Sequence, residues 1–72
     1  MTMQVKRIPK AKVRKYGYVL VTPGVNPVAR LCRILKVDER EFVVRPGRTD
    51  YETKVYTDND MIASLIKMVY QV

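Results

Sequence analysis

Asn26-Pro27-Val28-Ala29-Arg30-Leu31-Cys32-Arg33-Ile34-Leu35-Lys36-Val37 decides the fold, because two periodicities run through it at once. Asn26-Pro27 is a helix start signal: an Asn side chain can accept from the orphan amides of a first turn, and Pro fits the first helical position. Val28, Leu31, Cys32 and Leu35 then follow at i, i+3, i+4 and i+7, with Arg30, Arg33 and Lys36 elsewhere. Against this, Cys32, Ile34 and Lys36 alternate with Leu35 and Val37. Arg33–Val37, the polar run Asp38-Glu39-Arg40-Glu41 and Phe42–Arg45 also read as strand, four-residue connection and strand, the pattern of a β-hairpin. The hairpin is the preferred reading, with part of residues 26–30 forming one helical turn. A true helix over residues 27–37 is the alternative.

Composition tilts the choice toward strands. The chain has 72 residues, enough for one small domain, and 47% of them are hydrophobic, enough for a packed core. Twelve Val and four Ile stand against three Ala and four Leu. β-branched side chains lose rotamer freedom in helices and pack well on pleated sheets.

Outward from the deciding stretch, Tyr16–Thr22 is the clearest strand, with Tyr18 and Leu20 on one face and Val19 and Val21 on the other. Thr22-Pro23-Gly24 ends it in a turn. Phe42–Arg45 is a strand stopped by Pro46-Gly47, and Thr53–Thr57 is another. From Asp58 the period changes: Asp58 suits a helix cap and Asp60 its positive first turn. Met61, Leu65, Met68 and Val72, beside Ile62 and Val69, form a wide apolar helical stripe, although Leu65–Val72 also alternates as a strand would. Residues 1–15 read as a basic, partly disordered arm with a short edge strand up to Ile8, and residues 16–72 as one globular domain.

The expected fold class is mainly β: a small SH3-like barrel of four to five strands with a C-terminal helix. An α+β two-layer sandwich of order β-α-β-β-α is the alternative. Over residues 16–60 the strand spacing, with the hairpin Arg33–Arg45 followed by Thr53–Asp58, resembles the SH3-like barrels of KOW, Tudor-type and archaeal chromatin proteins. No binding residue carries over from that resemblance.

Charge is segregated along the chain. Residues 1–37 hold nine Lys or Arg and no carboxylate, while every acid lies between Asp38 and Asp60. The formal net charge is +7. A half without internal counter-charge attracts polyanions, so the expected partner is nucleic acid, DNA or RNA. The expected contacts are Lys6, Arg7, Lys10, Lys12, Arg14 and Lys15 in the arm, extended by Arg30 and Arg33. Tyr16 and Tyr18 follow the arm as rings able to stack on bases. Arg45 and Arg48, near Glu41, Asp50 and Glu52, read as locally ion-paired.

Catalysis is not expected. The chain has no His, one Cys and one Ser, and its three Gly form no phosphate loop. No metal site, cofactor or small-molecule substrate is expected either. Asp38/Glu39/Glu41 read as a solvated turn and Asp58/Asp60 as helix capping. The rival function is a protein-interaction module, a homodimer or a subunit of a larger assembly, joined through Met61, Leu65, Met68, Val69 and Val72. Cys32, in an apolar run, reads as a buried reduced thiol. With no signal-peptide pattern in the opening residues, the expected compartment is the cytoplasm. No apolar stretch reaches the roughly 18–20 residues that span a bilayer, so no membrane role is expected.

Overall fold

The cap and the helical stripe prevail over the alternation at residues 26–37. In the computed structural model, which describes residues 3–72, Pro27–Leu35 is a helix, α1. Asn26 Oδ1 accepts from the Ala29 amide at 3.1 Å, and Pro27 sits in the first turn. Val28, Leu31, Cys32 and Leu35 are all buried, whereas Ile34 is 46% exposed. A strand would have put Cys32 and Ile34 on one face. Lys36 ends the helix in the left-handed region at φ 58°, its amide donating to Cys32 O. The hairpin expected over Arg33–Arg45 is therefore corrected. Asp38-Glu39-Arg40-Glu41 is instead a link with a single 3₁₀ turn, Glu39–Glu41, whose first free amide, that of Arg40, donates to Asp38 Oδ1 at 2.8 Å.

Four strands form one antiparallel sheet: β1 (Gln4–Ile8), β2 (Tyr16–Val21), β3 (Val43–Pro46) and β4 (Glu52–Thr57), in the order β1-β2-β4-β3. The second helix, α2 (Asp60–Tyr70), follows β4 directly. Its cap is Asn59, whose Oδ1 accepts from the Met61 and Ile62 amides, and Asp60 lies in the first turn. Asp58, expected as the cap, lies one residue too early.

The sheet is open, so the closed SH3-like barrel is corrected to a small α+β domain. Its order from β2 onward is that of the alternative, with β1 added at the edge. A sheet can escape closure when helices cover its apolar face, and both helices do so here. Tyr18, Leu20 and Val55 on the inner face meet Leu31, Cys32 and Leu35 of α1 and Ile62 and Ala63 of α2 in one cluster. Leu20, Leu31, Val55 and Ile66 are wholly buried. No helix among the described residues is long and apolar enough to cross a membrane.

Candidate nucleic-acid interface

The outer face of the sheet, turned away from the helices, carries residues of the other parity. Its central row follows from the strand register: Lys6 pairs with Val19, Val19 with Lys54, and Lys54 with Arg45. Three bases thus lie in one line across four strands. Adjacent strands are about 4.8 Å apart, so Lys54 and Arg45 are neighbours and Lys6 stands about 10 Å beyond Lys54. None of the three makes an ion pair with a described residue. Arg45 Nη1 donates only to the carbonyl of its neighbour Val44, at 3.1 Å. Glu52, two residues before Lys54, shares the face, and its Oε2 accepts from the Arg48 amide at 3.3 Å.

Beside this row lie Gly17, Tyr56 and Val43. A side chain at Gly17 would meet the Tyr56 ring at 2.9 Å and Ala11 Cβ at 3.0 Å, so the 9–15 connection packs back onto the outer face there. Lys10 and Lys12, both exposed, flank that anchor.

The rest of the connection is fastened to the start of α2. Lys15 Nζ meets Asp60 Oδ1 at 2.8 Å, the Lys15 amide donates to Asp58 Oδ1 at 2.7 Å, and Arg14 Nε lies 3.6 Å from Asp58 Oδ2. The Tyr16 hydroxyl donates to the same Asp60 oxygen at 2.6 Å. Hydrogen bonds from Lys15 and Tyr16 hold the Asp60 carboxyl below the ordinary carboxylate range, and the Asp60 partner raises the Lys15 ammonium in turn.

The residues expected to bind together are therefore distributed over several surfaces. Lys6 belongs to the outer row, and Lys10 and Lys12 to the connection beside it. Arg14 and Lys15 face carboxylates. Arg7, of inner-face parity, lies with its guanidinium 5.9 Å from the centre of the half-buried Tyr16 ring. Tyr18 is 4% exposed and belongs to the core, where burial raises its hydroxyl pKa. Arg30 and Arg33 project from α1 in the helical layer, apart from the outer row. Met1 and Thr2 of the expected arm lie outside the described residues. On α2, Met61, Met68 and Val69 are exposed and Leu65 packs partly against the core, as does Val72 beyond the helix end.

Lys54 is not among the expected contacts, and Arg45, expected to pair with nearby acids, makes no ion pair with a described residue. The alternation Lys54-Val55-Tyr56 was visible, but its cross-strand partners were not. No family model, no curated protein and no solved structure matches the chain.

Proposed function

We propose that the protein is a non-catalytic nucleic-acid-binding module whose phosphate contacts come from the outer sheet face, Lys6, Lys54 and Arg45, joined by Lys10 and Lys12. One observation carries this reading: three bases with no ion pair among the described residues stand in register on the sheet face that the helices leave uncovered. The overall charge of +7 supports it, since long-range attraction brings a polyanion to any such face. The aromatic residue of the outer row region, Tyr56, is buried against Gly17. The face therefore offers phosphate contacts and no stacking platform, and phosphate contacts position a nucleic acid without reading its sequence.

Titration of a labelled oligonucleotide, single-stranded and duplex, at several salt concentrations tests the reading. Four to five contacts give a log K against log salt slope of about −4 on duplex DNA. Replacing Lys6, Arg45 and Lys54 by Gln together makes that slope shallower by roughly 2–3. The same change at Arg30 and Arg33 leaves it nearly unchanged. Equal losses from the two variants would place the binding site elsewhere.

A further inference from the structure

The seam between β1 and α2 is a second recessed surface, and it differs from the outer face in kind. Two depressions follow one another along it. One, of about 330 Å³, is lined by Arg7, Tyr16, Tyr18, Ser64, Lys67 and Val72 together with Asp60 and Ala63. The other, of about 440 Å³, is lined by Met3, Gln4, Val5, Lys6, Val69 and Tyr70, with Gln71. β1 is an edge strand, so one side of its backbone has no strand partner. The opposite edge differs: β3 ends in Pro46, and the Arg45 guanidinium covers the Val44 carbonyl. Proline and charge are common means of blunting an edge.

The seam combines three recognition elements: an open backbone edge, apolar walls at Val5, Val69 and Val72, and cations at Arg7 and Lys67. Asp60 also lines it, but its carboxylate is taken by Lys15 and Tyr16, and neither cation forms an ion pair with a described residue. One buried hydroxyl at the seam awaits a partner: Tyr70 Oη, which has none among the described residues. A buried unsatisfied hydroxyl costs about 1–3 kcal/mol, so an occupant bringing carbonyl or carboxylate oxygens is favoured there.

We propose that this seam binds an extended acidic peptide segment of a partner protein, added to β1 as a fifth strand. Strand addition takes its affinity from main-chain hydrogen bonds and its specificity from alternate side chains. Val5 and Arg7 share the inner parity, so the fitting segment carries an aliphatic residue and an acidic one two positions apart. Charge selects this occupant over a second copy of the chain. An antiparallel β1–β1 pair centred on Lys6 sets Lys6 against Lys6, and like charges directly opposite destabilise a sheet. The same cations attract an acidic strand.

The test is amide-resolved NMR of the labelled protein with a synthetic blocked peptide, Glu-Val-Thr-Glu-Thr-Val-Glu, whose central Glu lies two positions from a Val on either side, and a counterpart carrying Lys for each Glu. Shifts confined to residues 4–8 and 67–72, slowed exchange of β1 amides, and no response to the Lys peptide are expected. Arg7→Glu with Lys67→Glu weakens binding about tenfold or more, whereas Lys54→Glu weakens oligonucleotide binding far more than it weakens peptide binding. Shifts centred on Val19, Lys54 and Arg45, equal binding of the Lys peptide, or oligonucleotide shifts at residues 67–72 would overturn the proposal. So would sedimentation showing a dimer that protects β1 amides without peptide. Because Lys54→Glu acts mainly on one of the two ligands, failure at the seam is distinguishable from failure at the outer face.

Discussion

Gly17 shows how much of the outer face depends on one missing methyl group. Its position lets the Tyr56 ring and Ala11 approach the strand backbone, which buries the ring and anchors the basic connection between β1 and β2. Gly17→Ala forces that ring or the connection outward. The expected cost is about 1–3 kcal/mol in denaturant unfolding, with Ala11 the first contact to loosen. Tyr18 teaches the complementary lesson. Its place beside a basic run suggested a stacking ring, yet its strand parity puts it among Leu20, Val55 and the helices. Alternation assigned Tyr18 and Leu20 to one face, but which face the helices would cover was not written in the strand itself.

At the scale of elements, the strands β2 and β4 and the helix α2 were legible within one or two residues, because each has one dominant period and a clear stop. At residues 26–37 the β-branched composition favours a strand, and a local signal of greater physical content overrides it. An Asn cap followed by Pro fixes a helix start directly, whereas alternation over five residues is easily accidental. The link between the 9–15 connection and α2 was illegible, since it joins positions more than forty residues apart. Its pH dependence follows from Asp60 and Lys15. Asp60 has a lowered pKa when folded, so its contribution is present above the unfolded value near 3.9 and is lost as pH falls through the folded one. Lys15 has a raised pKa, so its contribution is present below about 10.4 and is lost as pH rises through the folded value. Asp60→Asn should therefore lower the melting temperature slightly at pH 6, and the difference should close near pH 2 and again in strong alkali. Both groups are exposed, so the effect is small and weakens with salt.

For the whole molecule, composition gave the right size and a sheet-rich character but not the layering. Two helices on one face leave the opposite face of an open sheet to solvent, and that division determines which bases stand together. Charge segregation in sequence pointed to residues 1–15 as a unit. In the fold, β1 sends Lys6 and Arg7 to opposite faces, while Arg45 and Lys54 arrive from the mixed-charge half. A linear count of charge cannot find such a row, because register is set by hairpins and by the α1 crossover.

The position of β1 has a thermodynamic consequence. The strand contributes Lys6 to the outer row, and the same residue lines the seam beneath. An acidic strand added at that edge would lower the positive potential felt by a polyanion on the outer face. Linkage then requires the reverse to the same degree: oligonucleotide must weaken the acidic peptide by the same factor. Measured in both directions, the two ratios should agree and should shrink together as salt is raised. One five-residue strand would thus make the two ligands antagonists without any change in the shape of the fold.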